Sequence, residues 1–475
     1  MKKIYLLTST VFFLTLGICE AQFKDLYDFK GTSATQGSVP NGDLTISGSI
    51  MYGMTSTGGS NNQGNIFSIN IDGTGYTDIL NFNGTNGSLP NGDLTLSGSV
   101  LYGMTSKGGA NGEGLIFSVN TDGTGYKNLL DFNGTNGSNP NGSLILSAGV
   151  LYGMTAGNVN PNVGNVFLIN TDGTGFKDLI DFKIGGPAIY AEAPMGSLIL
   201  SGSILYGMAS LGGVNDEGTV FSIHTDGTGY TDILDFNGTN GAHPQGSLIL
   251  SGNVLYGMTE NGGGNSDGNV FSVHTDGTGY ADLLQFTGTN GANPYGSLIL
   301  VGNVLYGITT NGGINTDGNI FSIHTDGTGY QDLVDFNGAN GASPMGSLTL
   351  SGNVLYGMAS TGYANPNYWY GNVFSLSGVT GVVEQNSLTD LGMNVFPNPA
   401  SANSSVHCSV TSKTQTQAQL CIVDLLGRTV TVETIQLTTG LNTTELTVSS
   451  LTNGTYLLRI TSTDGGFMQS KLVIE

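Results

Sequence analysis

The sequence has few charged residues and very few basic ones. Lysine and arginine together number 12, against 34 aspartates and glutamates, and the formal net charge at pH 7 is −22. Nucleic acid is excluded as a partner, because binding a phosphate backbone requires a stripe of basic side chains. No arginine precedes Arg428. This argues against a sialidase, which would use guanidinium groups to clamp an anionic sugar.

Long hydrophobic runs are also absent, apart from one at the N-terminus. An apolar stretch over residues 4–18 follows two lysines and precedes Cys19, Glu20 and Ala21. The stretch is shorter than the roughly 20 residues of a membrane-spanning helix, and it is typical of a secretory signal peptide. We predict that residues 1–21 are removed. A membrane anchor and lipidation at the cysteine are the alternatives, and no other segment predicts a transmembrane helix.

Cysteine is scarce as well. Once the signal peptide is removed, only Cys408 and Cys421 remain. Export permits a disulfide between them, but cysteines among alternating apolar residues are also often simply buried. Both alternatives stay open, and the pair predicts no function.

Glycine, in contrast, is abundant, with 77 of the 475 residues, which excludes a helical protein. The glycines follow a repeat with a period of 50 or 54 residues, marked by Tyr-Gly at Tyr52, Tyr102, Tyr152, Tyr206, Tyr256, Tyr306 and Tyr356. Each unit contains short apolar runs, which in the fifth copy are residues 246–252, 253–259, 269–274 and 280–286. Runs of this length, bounded by Gly, Asn, Asp or Pro, indicate β-strands.

The connections between these runs differ in length. The third and fourth runs are joined through an Asp-Gly pair, such as Asp276-Gly277, which predicts a tight hairpin because both residues tolerate positive φ. The loops from the second run to the third, and from the fourth run to the next unit, are long. In an up-and-down arrangement these two sets lie on one face. Binding residues usually lie on the longer loops of a rigid scaffold, so we expect them on that face.

The seventh unit lacks its fourth run, and a matching run stands at the N-terminus. Residues 23–29 repeat residues 176–182 almost residue for residue. Four strands in a unit of about 50 residues are typical of a propeller blade. We predict an all-β protein, with a seven-bladed β-propeller over residues 22–381 that the N-terminal strand closes, followed by a small Ig-like β-sandwich.

The repeat motif consists of Leu-Tyr-Gly-Met-Thr, then Gly-Gly, then Gly-Asn-Val-Phe-Ser. It resembles the Gloeo-Verruco-type extracellular tandem repeat, and the resemblance covers residues 23–378. That family is defined by its repeat and by export rather than by a reaction. The resemblance therefore implies an architecture without implying an activity.

The C-terminal part has a different composition. After a polar linker at residues 382–394, residues 395–475 contain short alternating strands that indicate a β-sandwich. The order of motifs, from Val395-Phe-Pro-Asn-Pro to the terminal Lys471, resembles the type A C-terminal sorting domain of the type IX secretion system in Bacteroidota. The resemblance implies the outer-membrane translocon as a partner, and a final location outside the cell or attached to the outer-membrane surface. An ordinary accessory sandwich is the alternative.

Residues with catalytic or metal-binding chemistry mostly follow the repeat. His224, His274 and His324 stand where earlier units have asparagine, which predicts a turn residue rather than a base or ligand. Fourth-strand aspartates recur in the same way, at Asp131, Asp181, Asp235 and Asp335. We expect no catalytic residue, no metal ligand and no cofactor. Ca²⁺ in Asn- and Asp-rich loops, such as residues 265–268 and 315–319, is the alternative.

Two loops depart from the repeat. The long loop of the seventh unit carries Tyr363, Tyr368, Trp369 and Tyr370, and an insertion between the third and fourth units carries Tyr190 and Glu192. Exposed aromatic rings stack on sugars or anchor protein partners. We predict the five aromatic residues as the ligand site of a non-catalytic propeller that binds extracellular glycan or protein. The alternatives are that the rings fill a gap in the closing blade, that Glu192 serves a glycan-processing enzyme, and that the protein is purely structural.

Overall fold

The structure, a computed structural model, divides into two compact units, Met1–Val379 and Thr380–Glu475. It describes residues 22–30, 36–157, 162–183, 191–362 and 370–378 of the first unit, and residues 393–401, 405–412, 415–424, 429–446, 448, 451, 454–462 and 467–474 of the second. These residues form strands and turns, so the all-β prediction is confirmed for them. They include no helix that is long and apolar enough to cross a membrane. The predicted signal peptide lies outside the described residues.

The first unit is built from short strands. They are β1 (Gln22–Asp28), β2 (Gly37–Ser38), β3 (Thr45–Ser47), β4 (Ile50–Thr55), β5 (Thr57–Gly58), β6 (Asn65–Asn70), β7 (Thr77–Asn81), β8 (Thr95–Ser97), β9 (Val100–Thr105), β10 (Leu115–Asn120), β11 (Lys127–Asp131), β12 (Ile145–Ser147), β13 (Val150–Thr155), β14 (Asn162–Asn170), β15 (Lys177–Lys183), β16 (Ala191–Glu192), β17 (Ile199–Ser201), β18 (Ile204–Ala209), β19 (Leu211–Gly212), β20 (Thr219–His224), β21 (Thr231–Asp235), β22 (Ile249–Ser251), β23 (Val254–Thr259), β24 (Asn269–His274), β25 (Ala281–Gln285), β26 (Ile299–Val301), β27 (Val304–Thr309), β28 (Asn319–His324), β29 (Gln331–Asp335), β30 (Thr349–Ser351), β31 (Val354–Ala359) and β32 (Asn372–Ser377).

These strands form seven four-stranded antiparallel sheets. In chain order, sheets 1 to 7 are β3-β4-β6-β7, β8-β9-β10-β11, β12-β13-β14-β15, β17-β18-β20-β21, β22-β23-β24-β25, β26-β27-β28-β29 and β30-β31-β32-β1. The pairs β2-β5 and β16-β19 form small additional ladders between loops. In sheet 7 the fourth position belongs to β1, in which Phe23 lies opposite Leu376 and Asp28 lies opposite Asn372.

The middle strands of each sheet are buried on both faces, which explains their apolar sequences. In sheet 1, Gly53 of β4 lies directly opposite Phe67 of β6. A Cβ atom on Gly53 would lie 2.6 Å from Cζ of the Phe67 ring, so this position excludes a larger residue. The Tyr-Gly dipeptide therefore recurs because each sheet packs a phenylalanine ring over its own glycine, as Gly257 and Phe271 do in sheet 5.

The hydrophobic clusters of the first unit lie between neighbouring sheets. One cluster joins Phe67 and Ile69 of sheet 1 to Tyr356 and Val373 of sheet 7, with Phe29 between them. Full burial of a Phe or Leu side chain contributes roughly 1.5–3 kcal/mol. Each sheet is therefore stabilised mainly by its neighbours rather than by a core of its own.

Hydrogen bonds connect the first strands of successive sheets in a cyclic series. The backbone N–H of Asp43 donates to Asp93 Oδ1, and the N–H of Asp93 donates to Ser143 Oγ at 2.6 Å. The same bond then links Ser143, Ser197, Ser247, Ser297 and Ser347 in turn, at 2.7–2.8 Å. The N–H of Ser347 donates to Asp43 Oδ1, so the series returns to its first member.

The turns between third and fourth strands differ from the predicted hairpin. Six residues separate β24 from β25, and within this turn only Gly277 and Gly279 have positive φ, at 81° and 67°. Asp276 acts through its side chain instead, because Oδ1 accepts from the N–H of Thr278 at 3.0 Å and from its hydroxyl at 2.7 Å. These bonds hold the pKa of Asp276 below its usual value.

The second unit contains two antiparallel sheets. Its strands are β33 (Asn394–Phe396), β34 (Val406–Ser412), β35 (Thr416–Asp424), β36 (Thr429–Leu437), β37 (Gly440–Leu446), β38 (Gly454–Ser462) and β39 (Phe467–Ile474). They are arranged as β33-β34-β37 and β36-β35-β38-β39. One hydrophobic cluster contains side chains from both sheets, including Val406 of β34 and Leu420 of β35.

The two cysteines of this unit are free thiols, so the disulfide alternative is wrong for this structure. Cys408 is buried in the cluster between the sheets, and burial raises its pKa to about 11. Cys421 is only half-buried, whereas Ala418, Leu420 and Ile422 of the same strand enter the cluster.

Candidate functional site

The two sets of long loops interlock. The loop that enters sheet 5 pairs Ala242 with Asn261 of the loop between β23 and β24, and the loop that enters sheet 6 pairs Ala292 with Asn311 in the same way. Asn265 also donates from Nδ2 to the carbonyl oxygen of Phe286 at 3.2 Å. The two sets therefore lie together, and we call their surface the long-loop face. The opposite surface, formed by the hairpins of the Asp-Gly turns, is the short-turn face.

A row of backbone strain runs through the long-loop face. The residue before the proline in each entering loop has φ between 47° and 58°, at Val39, Leu89, Asn139, Ala193, His243, Asn293 and Ser343. In this left-handed region of backbone conformation, each non-glycine residue lowers the stability of the fold by roughly 1–2 kcal/mol. His243 shows what holds this conformation, since its N–H donates to Glu217 of sheet 4 at 2.8 Å and its carbonyl accepts from Glu260 of sheet 5 at 3.2 Å. The strained residues thus tie neighbouring sheets together and make the face rigid.

A cluster of amide, carboxyl and phenol side chains lies on this rigid surface at sheets 5 and 6. We define the amide patch as Gln245, Glu260, Asn261, Asn293 and Tyr295. Gln245 Nε2 donates to Glu260 Oε2 at 2.8 Å, and Asn293 Nδ2 donates to Asn261 Oδ1 at 3.2 Å and to the Glu260 carbonyl at 3.1 Å. Burial, and then the charge of Glu260, raise the pKa of Tyr295.

One polar atom of the amide patch lacks a hydrogen-bond partner within the described residues. Gln245 Oε1 is buried and has no hydrogen-bond partner within the described residues. Buried acceptors are normally paired. This oxygen can accept a donor from a molecule placed against the patch.

Three further side chains extend the patch. The ring of His243 lies with Nδ1 3.5 Å from Asn261 Nδ2, and its Nε2 lies 3.6 Å from Glu217 Oε2. On the other side, Asn311 Nδ2 donates to Asn293 Oδ1 at 3.2 Å. The polar groups therefore continue across sheets 4, 5 and 6.

Sequence reasoning missed the amide patch, although the sequence contains a signal for it. The position of Glu260 is occupied by serine, threonine or alanine in the other six units, at Ser56, Ser106, Ala156, Ser210, Thr310 and Ser360. This departure is a single residue rather than an insertion. Its partners Gln245 and Asn293 come from entering loops that are far from it in sequence.

The structure describes only part of the predicted aromatic site. Tyr190, Tyr363, Tyr368 and Trp369 lie outside the described residues. Tyr370 is half-buried and packs against the cluster between sheets 7 and 1, and its carbonyl accepts from the N–H of Val39 at 3.0 Å. For Tyr370, these contacts are those of a residue that fills the space between two sheets.

Glu192, the predicted residue of an enzymatic alternative, lies in the short ladder β16-β19. It is half-buried, and burial, followed by the charge of Asp216, raises its pKa. A second carboxyl group is thus near enough to influence its ionisation.

The repeated histidines and aspartates have structural roles. Nδ1 of His224, His274 and His324 forms a 3.1 Å hydrogen bond with the threonine hydroxyl of the turn, where Asn120 forms the same bond at 3.0 Å. Their predicted turn role is confirmed. Asp131, Asp235 and Asp335 each accept a backbone N–H of a long loop through Oδ1, at 2.8–3.0 Å.

In the loops considered for Ca²⁺, asparagine side chains form hydrogen bonds to the backbone of the protein. Asn315 Nδ2 donates to the carbonyl oxygen of Phe336 at 3.0 Å, as Asn265 does to Phe286. Among the described residues, no group of three His, Cys, Asp or Glu side chains is placed to hold a metal ion.

A cavity lies at the first strands of the sheets. Residues of β3, β8, β12 and β17, with the residues that precede them and with Ser247, Ser297 and Thr349, enclose about 330 Å³. We call this space the first-strand cavity. Its wall contains two carboxyl groups, Asp43 and Asp93, at a position where the other five units have serine.

Comparison with known families gives two matches. The model of the Gloeobacter/Verrucomicrobia repeat matches residues 7–199 and 188–374. The model of the secretion system C-terminal sorting domain matches residues 394–475. No curated protein matches the sequence.

Solved structures are similar only at low identity. A puromycin-hydrolyzing peptidase of Mycobacterium tuberculosis is 11% identical, with a TM-score of 0.46, over 82% of this chain and 62% of that one. A puromycin hydrolase is 12% identical, with a TM-score of 0.47, over 81% and 60%. A fungal alcohol oxidase of the AA5 family in complex with copper is 10% identical, with a TM-score of 0.48, over 95% and 98%. The chain spans 43% of the tricorn protease, which it also matches. No function is transferred from these likenesses.

Proposed function

Since the chain belongs to the Gloeobacter/Verrucomicrobia repeat family and ends in a type IX sorting domain, we propose that it is an exported, non-catalytic protein that binds extracellular glycan. The sorting domain implies handling by the type IX secretion system and export to the cell surface or the extracellular space. The binding role is the further step. The single observation that carries it is the amide patch.

The proposal includes a closed seven-bladed propeller over residues 22–381, a linker over residues 382–394 and an Ig-like sandwich over residues 395–475. Two observations support ring closure. The hydrogen-bond series of the first strands returns from Ser347 to Asp43, and β1 supplies the fourth strand of sheet 7. A cleaved signal peptide at residues 1–21 is part of the same proposal.

Glycan fits the chemistry of the amide patch. Sugar hydroxyls both donate and accept, so they pair with the amides of Gln245, Asn261 and Asn293 and with the carboxylate of Glu260. The buried, unpaired Gln245 Oε1 supplies an acceptor, and Tyr295 supplies an aromatic side chain beside these groups. Because the strained entering loops fix this face, little ordering is required on binding.

The charge of the protein favours a neutral, hydroxyl-rich glycan as the ligand over an anionic one. No arginine precedes Arg428, and Glu260 gives the patch a negative charge. An anionic sugar would be repelled and would find no bidentate clamp.

The test is a glycan array probed with the full mature chain, followed by titration of the best ligand. The double variant Glu260→Ser/Asn293→Ala introduces residues that stand at the equivalent positions of other units, at Ser210 and Ala193. We expect its affinity to fall at least about tenfold, which corresponds to about 1.4 kcal/mol, because several hydrogen bonds are lost together.

A matched control removes the same number of polar side chains from the opposite face. Asn253 and Asn303 are exposed at short hairpins, and Asn253→Ala/Asn303→Ala should bind like the wild type. Equal affinity of wild type and patch variant would exclude the amide patch as the binding site.

The variant Tyr368→Ala/Trp369→Ala then tests the predicted aromatic loop, together with Tyr363, Tyr370 and Tyr190. If no glycan binds, a pull-down with these variants tests a protein ligand, and failure of both leaves the structural role.

One observation favours a second candidate, a glycan-processing enzyme. The raised pKa of Glu192 beside Asp216 is a feature of general acids. Glycosidases place two carboxyl groups about 5–10 Å apart. Product formation from a bound glycan that is lost in Glu192→Gln, with binding retained, would support this candidate. Turnover that is unchanged in Glu192→Gln would exclude this residue.

A further inference from the structure

The wall of the first-strand cavity contains both polar and apolar residues. Asp43, Leu44 and Thr45, at the start of β3, all contribute to it. Asp93, Leu94 and Thr95 contribute in the same way from the next sheet. The cavity volume of about 330 Å³ lies at the lower end of the range for small-molecule sites.

The threonines and aspartates of the wall come from neighbouring sheets. Thr45, Thr95 and Thr349 come from sheets 1, 2 and 7, which are neighbours through the bonds that join Ser347 to Asp43 and Asp43 to Asp93. Sheets 3 to 6 have isoleucine at the threonine position, at Ile145, Ile199, Ile249 and Ile299. Of these isoleucines, Ile145 and Ile199 line the cavity, beside the serines of sheets 3 to 6. The break in the repeat therefore involves three adjacent sheets.

The part of the wall formed by the threonines and aspartates offers oxygen acceptors but no cationic side chain. Thr45 donates its hydroxyl proton to the Leu94 carbonyl at 2.5 Å, and Thr349 donates to the Leu44 carbonyl at 2.8 Å, so their oxygens are left as acceptors. No lysine or arginine is among the described residues of the wall. Burial raises the pKa of Asp43 and of Asp93, and the charge of Asp93 adds to the effect on Asp43.

We infer that the first-strand cavity binds a small organic ammonium ion with an aliphatic body. The ammonium group donates to the carboxylates of Asp43 and Asp93 and to the threonine oxygens, and it supplies the positive charge that this wall lacks. The aliphatic body lies against Ile145 and Ile199.

This ligand fits better than a metal ion. Calcium takes six to eight oxygen ligands around it, whereas the wall of this cavity includes the apolar side chains of Ile145 and Ile199. The described residues also bring no third carboxyl, imidazole or thiol group to the two aspartates. The inference does not depend on the amide patch, because no residue of the patch lines the cavity.

The experiment is isothermal titration of the full mature chain with hexylamine at neutral pH. The neutral isostere 1-hexanol, the anion hexanoate and Ca²⁺ are titrated in parallel. We expect hexylamine to bind, to weaken as salt is added, and to bind at least about tenfold more tightly than hexanol. Binding by Ca²⁺ but not by hexylamine, equal binding of hexylamine and hexanol, or no hexylamine binding would each overturn the inference.

Two sets of variants locate the site. Asp43→Ser/Asp93→Ser introduces the serine that stands at this position in the other five units, and it should abolish hexylamine binding. Asp122→Asn/Asp172→Asn removes the same charge from exposed turns and should leave binding unchanged. Loss of binding in both would show that only net charge matters, and would contradict the proposed site.

A second substitution covers the case in which the serine variant does not fold. Thr95→Ile/Thr349→Ile introduces the residue of sheets 3 to 6 without changing charge. We expect about tenfold weaker hexylamine binding, because two oxygen acceptors are replaced by methyl groups. Unchanged affinity in this variant would contradict the assignment of the threonine wall.

Discussion

The short-turn face and the long-loop face of the first unit differ in how they use polar side chains. On the short-turn face, Asp72, Asp122, Asp172, Asp226, Asp276 and Asp326 each bind the threonine two residues later, and the threonine bonds keep the pKa of all six low. On the long-loop face, sheets 5 and 6 carry a polar cluster that includes Glu260, a residue found at this position in no other unit. Repetition thus marks side chains that hold the backbone, and we propose that departures from it mark side chains that bind a ligand.

The two faces also differ in which residues adopt positive φ. The short-turn face mostly uses glycines there, such as Gly73, Gly227 and Gly277, with Ala148 at φ 50° as an exception. The long-loop face uses seven non-glycine residues before prolines. Strain is therefore less frequent on one face than on the other, where hydrogen bonds between sheets compensate for it.

The largest expected effect comes from adding a side chain to the short-turn face. Gly73 has φ of 92°, and a Cβ there would lie 2.4 Å from the Leu26 carbonyl oxygen of β1. We expect Gly73→Ala to lower the free energy of unfolding by about 3 kcal/mol, from strain plus a backbone contact. Urea unfolding followed by fluorescence measures this loss. Gly252→Ala, at φ 61° with open space around it, is the control for strain alone and should lose about 1 kcal/mol. Equal losses would mean that the contact with β1 does not matter.

A second prediction concerns the carboxyl pairs of the fourth strands. Burial, and then the charge of Asp181, raise the pKa of Asp178 to about 6. The folded state therefore binds more protons than the unfolded state between pH 4 and 6, and stability falls as pH rises through this window. Asp178→Asn, which copies the bond from Asn128 Nδ2 to Asp131 Oδ2 in sheet 2, should remove this part of the pH dependence. The variant should be more stable than the wild type by about 1 kcal/mol at pH 7.5, a value reduced for solvent screening, and equal to it near pH 4. Parallel pH profiles of the two proteins would contradict the assignment.

A third prediction concerns the long-loop face, where removing a side chain from a strained residue should stabilise the protein. Ala193 has φ of 50°, a region that alanine adopts at a cost and glycine adopts freely. Ala193→Gly should raise the free energy of unfolding by about 0.5 kcal/mol, because relief of strain exceeds the entropy that glycine adds to the unfolded chain. A thermal melt of the variant measures the shift. A destabilised variant would show that this conformation is not strained.

The smallest effect is expected for exchange of a repeated turn residue. His274→Asn introduces the residue that forms the same turn bond at Asn120, so stability should change by less than about 0.5 kcal/mol. Denaturant unfolding of the variant and the wild type checks this. A loss above about 1 kcal/mol would indicate a further role for the histidine.

Much of the fold could be predicted because its signals are local. Alternating apolar residues and the turn residues around them determine the strands, and the match of residues 23–29 to residues 176–182 indicated where β1 pairs. The positive φ of His243 and its equivalents was not predictable in the same way. A residue before proline normally prefers extended backbone, and here bonds to two neighbouring sheets override that preference.

The candidate sites could be predicted only in part. The aromatic loop was predicted as a site because its aromatic residues depart from the repeat, and the one that the structure describes, Tyr370, packs between sheets 7 and 1. Glu260, Asp43 and Asp93 are single-residue departures, and each contacts a residue of a neighbouring unit, as Glu260 contacts Asn293 and Asp43 contacts Asp93. Sequence alone does not show which units become neighbours, so the meaning of these departures depends on the contacts between sheets.

The central claim is that departures from the repeat on the long-loop face bind ligand. Hydrogen–deuterium exchange of the full mature chain, with and without the glycan selected on the array, tests it most directly. We predict slower exchange in peptides that cover residues 240–262 and 290–312, with no change in the short turns at residues 274–280 and 324–330. Protection confined to the short turns, or to the second unit, would contradict the claim.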